Sequence, residues 1–173
     1  MRRREISRAV KDVREKLSST SGTRPAFDHE LVLGYARYRN TSWTAVTLLI
    51  AMVAGVGLHW YPLEVIGAWA CAVLFFHLAL GLTCRQFTRL PQSKVRLATW
   101  VRRFYLGEFL VGSAIAALLV LPGAGGDVIV FHLATLLLTI AVTAIIASNI
   151  TRAVIAGTAP IAIGGALVFA LDR

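Results

Sequence analysis

Residues 104–147 read FYLGEFLVGSAIAALLVLPGAGGDVIVFHLATLLLTIAVTAIIA. Two apolar runs, Phe104–Leu121 and Val128–Ala147, are parted only by a short Pro- and Gly-rich turn. Each approaches the ~20 residues that a helix needs to cross ~30 Å of hydrocarbon. A lone strand in lipid would leave its backbone groups unpaired, so the runs are read as helices. Working outward, Trp43–Trp60, Val65–Cys84 and Ala153–Leu171 are runs of the same kind. The expected fold is all-α, a polytopic transmembrane helical bundle. Its five spans cover about 43–60, 65–84, 104–121, 128–147 and 153–171, with a cytoplasmic N-terminal segment over 1–42.

Charge gives the bundle an orientation. Of 18 Lys and Arg residues, 10 precede the first run, 6 lie in 85–103 and one, Arg152, lies between the fourth and fifth runs. The connections around Tyr61 and Gly125 hold no Lys or Arg, and each has an acid beside it, Glu64 or Asp127. This is the positive-inside pattern of a polytopic membrane protein, with its N-terminus cytoplasmic. Five crossings put Arg173 outside, so a sixth span is expected to be missing from the chain.

At 57% hydrophobic and 16% charged residues, the chain is far from an ordinary soluble domain. Its net charge of +9 is partitioned by apolar spans rather than spread along one soluble face, which argues against nucleic acid as a partner. The lipid bilayer is the expected one. Cys71 and Cys84 lie on one predicted helix, roughly 20 Å apart at 1.5 Å per residue, too far to pair. Residues 1–41 lack the compact apolar core of a secretory signal.

Within that segment, Ile6, Val10, Val13 and Leu17 sit at spacings that predict an amphipathic helix, solvated or dimerising. After the helix-breaking SSTSGTRP, Phe27, Leu31, Tyr35 and Tyr38 form a second stripe, flanked by Arg37 and Arg39. That pattern suits a helix lying among lipid headgroups. Val95, Leu97, Trp100 and Val101 predict a short helix on the same leaflet, and Trp43, Trp60, Tyr61, Phe104 and Tyr105 an aromatic belt. The two tight turns predict that spans one and two, and spans three and four, form hairpins.

Candidate sites are few. Ionisable residues inside spans are costly and usually face the bundle interior. Glu108 and His77 fall at depths about 4–5 Å apart, so a hydrogen bond or ion pair between them is feasible, the alternative being an interfacial Glu108 with no partner. The pair would serve as interhelical glue, or as a ligand-, quinone- or proton-sensing pair. His59 and His132 lie near outer span ends; a polar role at the wet interface is favoured over haem ligation, since no bis-His spacing recurs on one helix. Cys84 and His77 are too far apart to share a metal ion. Gly157, Pro160, Gly164 and Gly165 give the fifth span room for close packing, or for a hinge that shifts on ligand binding. The sensing candidates are therefore His77, Glu108, Gly157, Pro160 and His132. Nucleotide-binding, zinc-protease, CxxC and nucleophile-elbow motifs are missing, so the sequence names no catalytic residue and no cofactor or metal site.

The stretch REKLSSTSGTRPAFDHELVLGYARYRN, residues 14–40, runs straight into the first span. It resembles the amino-terminal region of multipass PAS-containing sensor histidine kinases of alphaproteobacteria, some of them hybrids with a receiver. Residues 20–31 carry most of the likeness, and the spans match in number and spacing. The resemblance implies a sensory input and dimerisation module of a bacterial inner (plasma) membrane, a homodimer partner in a second copy, and cytoplasmic PAS and kinase domains of the same polypeptide with a response regulator downstream. ATP and magnesium would belong to that kinase domain alone. No phosphoacceptor His or ATP-binding box appears in this chain, so no catalytic residue carries over. The alternatives from the residues alone are a small transporter or channel subunit and a structural membrane anchor.

Overall fold

A computed structural model of the protein describes residues 25–91, 96–121 and 127–171. The amphipathic stripe from Ile6 to Leu17 lies outside them. Six helices follow one another: α1 Pro25–Thr41, α2 Trp43–Gly57, α3 Leu63–Arg89, α4 Leu97–Leu119, α5 Val128–Ile146 and α6 Thr151–Leu171. The fold is all-α and polytopic. Among the described residues, α3, α5 and Thr151–Val168 of α6 are long and apolar enough to cross a membrane. The bent pair α1–α2 counts as a fourth such helix if taken as one span.

The exterior explains the composition. Leu48, Phe75, Leu106, Val130, Leu137 and Ile163 all point outward and are more than half exposed. An apolar exterior of that extent belongs to a protein whose solvent is lipid.

Two expected spans differ from their sequence reading. The first run forms a helix only as far as Gly57, 15 residues, which is about 22 Å at 1.5 Å per residue. Its missing length is supplied by α1, from which it is separated by Ser42 alone at a bend of 51°. The backbone ladder continues through the bend, with Ser42 N–H donating to Tyr38 and Val46 N–H to Ser42. Thr41 at the bend turns its hydroxyl back onto the Arg37 carbonyl at 3.1 Å, a bond that favours helix bending. The other exception is α4. Every stretch of it long enough to cross includes Arg102, Arg103 and Glu108.

The stripe expected on α1 is split between its two faces. Its buried face is Val32, Tyr35, Ala36 and Arg39, while Leu31 and Tyr38 are exposed. The reason is an aromatic cluster that α1 caps. Phe104 is fully buried between Tyr35 (5.2 Å between ring centroids) and Phe87 (5.5 Å), and Phe87 also meets Trp100 (5.5 Å) and His29 (5.6 Å). Phe104 is thus core rather than interfacial belt. Likewise Leu97, Trp100 and Val101 are the first turns of α4, not a separate helix on the leaflet.

Along α3 the buried positions Ile66, Trp69, Val73, His77, Leu80, Cys84 and Phe87 recur every three or four residues, a single inward stripe. The Trp69 indole donates to the Ala114 carbonyl at 2.9 Å and ties this stripe to α4. The tightest helix pair is α4 with α6. A Cβ added at Gly112 would overlap the Gly157 carbonyl oxygen, and one at Gly164 would meet Ala116 Cβ at 3.3 Å. Small residues on both helices admit this backbone approach. As a result α4 and α5, although joined by a short turn, touch little, and the expected hairpin of spans three and four is opened by α6. Spans one and two do pack together, as α2 on α3.

Candidate functional site

Glu108 organises the interior. It sits midway along α4 on the face that also carries Phe104, Val111 and Gly112, and only 1% of it is exposed. A buried carboxylate needs charge-assisted partners, because leaving water unpaired is costly. Both come from α1. Tyr35 donates its hydroxyl to Glu108 Oε1 at 2.7 Å, and Arg39, one turn further on, brings Nη1 to 3.7 Å from the same oxygen. On the other side lies α6: a Cβ at Gly157 would come within 3.4 Å of Glu108 Oε2 and 2.8 Å of the Thr143 methyl on α5. Three helices, α1, α4 and α6, therefore meet at this one carboxylate, and α5 closes on Gly157 beside it.

Arg39 is only partly satisfied. Its side chain is 4% exposed, yet Nε and Nη2 have no hydrogen-bond partner among the described residues, nor does the neighbouring Asn40 Oδ1. The guanidinium lines a cavity of about 30 Å³ walled by Val46, Ile50 and Val53 of α2, Trp69 of α3, Ile115 of α4 and Thr135 and Thr139 of α5. That space suffices for one or two waters but not for a quinone ring. Thr139 donates its hydroxyl to the Thr135 carbonyl at 2.6 Å, which leaves its oxygen able to accept.

His77 does not pair with Glu108. It is buried to 1% exposure, neither ring nitrogen has a hydrogen-bond partner among the described residues, and its ring lies 5.1 Å from that of Trp43. The Trp43 indole runs along α3 at four-residue steps: His77, then Gly81, where an added Cβ would lie 2.6 Å from the indole, then Arg85, whose guanidinium stacks over it at 5.3 Å. The sequence paired the two ionisable spans by depth alone. What it missed is that α1 supplies Glu108 with a cation and a phenol.

Of the other predicted residues, Gly157 is brought to Glu108. Pro160 lies one turn beyond it inside α6. His132 belongs to a separate cluster at the opposite end. There Tyr61 places its hydroxyl 2.6 Å from His132 Nε2 and donates to the Leu121 carbonyl at 3.3 Å. Burial pushes the Tyr61 phenol above its ordinary value, so it stays protonated. Trp60 stacks on Phe131 at 4.8 Å beside it, and exposed His59 meets Trp60 edge-on. His132 has its Nε2 engaged by Tyr61, whereas His59 packs on Trp60. Among the described residues no cluster of three or more His, Cys, Asp or Glu is placed to hold a metal ion, and both cysteines are free thiols.

Tyr35 and Arg39 are the site residues that sequence reasoning left out as such. Their spacing of four, one helical turn, was visible, and a carboxylate in a span calls for a cation. No protein-family model matches the chain, and neither a curated protein nor a solved structure matches it.

Proposed function

We propose that the chain is the membrane-embedded signal-input and dimerisation module of a two-component sensor histidine kinase in a bacterial inner membrane. In this reading the N-terminus is cytoplasmic and the chain crosses five times, with α1–α2 as a broken first span and α4 as the third. The observation that carries it is the buried Tyr35–Glu108–Arg39 network. It couples α1, the helix nearest the cytoplasmic N-terminus, to the Gly112–Gly157 contact of α4 and α6.

A stimulus acts only through a difference in affinity between two states. A polar group entering the cavity and engaging Arg39 Nε and Nη2 competes with Glu108 for the guanidinium. That loosens α1 from α4 and shifts α6 about the Gly157–Pro160 region. His77 senses the same movement through Trp43, the first residue of α2. PAS and kinase domains of the same polypeptide would receive the change and pass phosphate to a response regulator.

The test is a chimera in which this chain drives a dimeric histidine-kinase core in membranes. Phosphorylation that differs between wild type and Arg39→Gln, at equal membrane levels, supports the reading. Equal phosphorylation in wild type, Arg39→Gln and Glu108→Gln defeats it.

One observation favours a second reading, a small transporter. Broken helices that present polar groups at the break are how transporters build binding sites within the membrane, and Arg39 and Asn40 stand beside the 51° bend. Solute flux in proteoliposomes that is lost in Arg39→Gln would select it.

A further inference from the structure

A groove of about 290 Å³ opens on the outside of the bundle between α3 and α4. Its two ends differ in chemistry. Arg103, Gln86 and Thr83 lie at one end, while Phe76, Leu80 and Leu110 line the rest. Because α3 and α4 run antiparallel, Arg103 and Gln86 both fall toward the 90–96 connection, and Leu110 and Phe76 fall deeper toward the middle of the helices.

The groove exists because Gly107 has no side chain. A Cβ there would come within 2.6 Å of Leu80 Cδ1, so the two helices approach closely at the floor while their flanking residues stand apart. The Arg103 guanidinium is held at the rim by stacking on Trp100, 4.9 Å from its ring. Among the described residues the one salt bridge is Arg39 to Glu108, so Arg103 has no carboxylate partner there. Segment 85–103 contains six basic residues and no acid. A cationic, hydrogen-bonding end that leads into an apolar trough matches a molecule with a phosphate at one end and hydrocarbon at the other.

We propose that this groove binds an anionic phospholipid, its phosphate on Arg103 and Gln86, and one acyl chain along Leu110 and Phe76. The site is independent of the Glu108 network and of the sensor reading. It differs from general attraction of basic loops to headgroups in predicting that one arginine matters and its neighbour does not.

Native mass spectrometry of the full chain in mild detergent tests it, with equal amounts of dioleoyl phosphatidylglycerol and dioleoyl phosphatidylcholine added. Wild type is expected to retain the anionic lipid about fivefold over the zwitterionic one, the effect of roughly one basic residue at a headgroup. Arg103→Gln brings the ratio near one. Ala79→Phe, a substitution at an exposed residue of the groove wall, lowers retention of both lipids. Arg102→Gln, the same charge change outside the groove, leaves the ratio at the wild-type value. Equal retention of both lipids by wild type overturns the proposal. So does an equal loss of preference in Arg102→Gln and Arg103→Gln, which would mean diffuse surface charge. Displacement of the lipid by excess glycerol 3-phosphate would overturn it too, assigning the groove to a soluble phosphate ester.

Discussion

Arg39 and Glu108 stand 3.7 Å apart with side chains 4% and 1% exposed, and 69 positions separate them in the chain. One comes from the last turn of a helix that ends at a bend, the other from the middle of α4. Neither residue is tolerable alone at that depth, since a buried ion without its partner retains its desolvation cost and loses the compensating attraction. The pair thus dictates that α1 docks inside the bundle instead of lying on it.

Glu108→Gln should therefore be strongly destabilising, by about 3–5 kcal/mol, because it strands the Arg39 charge. The double substitution Arg39→Met with Glu108→Leu should recover most of that loss, since it removes both charges. Tyr35→Phe, which deletes one hydrogen bond to a charged acceptor, should cost about 1.5–3 kcal/mol. Unfolding of the purified protein in mixed micelles measures all three. If Glu108→Gln unfolds within about 0.5 kcal/mol of wild type, the pair does not hold the fold.

His77→Leu should be close to neutral. Neither imidazole nitrogen has a hydrogen-bond partner among the described residues, and the ring's main contact is the Trp43 indole. Replacing an unsatisfied polar ring by an apolar side chain removes a penalty of about 1–3 kcal/mol while giving up some ring stacking. A loss above about 2 kcal/mol in the same unfolding assay would reveal a polar partner for His77.

The contrast between these two residues shows what the sequence could tell. The helices were legible because apolar runs of membrane length leave little else to form, and Glu108 was legible as a costly ion inside one of them. Its partner was not. Arg37 and Arg39 look alike beside a span, and snorkelling to a headgroup is the usual fate of both. Only the packing of Val32, Tyr35 and Ala36 on the Phe87–Phe104 cluster turns Arg39 inward, and that cluster unites three helices distant in sequence. The α4–α6 contact was half legible: Gly157 stood out as a small residue, but its opposite number, Gly112, carries no local signal of which helix it will face.

Glycine substitutions should separate by what each new methyl meets. Gly112→Ala drives a Cβ into the Gly157 carbonyl, a backbone atom that cannot rotate away, and should cost about 1–3 kcal/mol as overpacking. Gly165→Ala meets only Cδ1 and Cγ of Leu136, a flexible side chain that can turn aside, and should cost less. At Gly55 and Gly67 a Cβ meets nothing within 4 Å, so Ala there should stabilise by about 0.5–1 kcal/mol through helix propensity. Equal effects at Gly112 and Gly67 would mean that α4 and α6 do not approach at this point.

The sharpest topological question is whether α4 crosses the membrane at all. A central acid costs about 2.5–3.5 kcal/mol on insertion scales. Leu106, Phe109, Leu110, Val111, Ile115, Leu118 and Leu119 together return about 2–4 kcal/mol, at 0.3–0.6 each. With Arg102 and Arg103 at its inner end reaching back to the headgroups, the helix alone is near balance, and the contacts of Glu108 with Arg39 and Tyr35 tip it toward insertion. Single cysteines at Ser93, Ala124 and Ser148, in a Cys71→Ala background that keeps buried Cys84, report the outcome with a membrane-impermeant maleimide. Ala124→Cys should label in intact spheroplasts, whereas Ser93→Cys and Ser148→Cys should label only after lysis. Adding Arg39→Met to Ala124→Cys should lower its external labelling, because Glu108 then enters the membrane without its cation. Protection of Ala124→Cys in the otherwise wild-type chain would place α4 on one side of the bilayer and remove the third crossing.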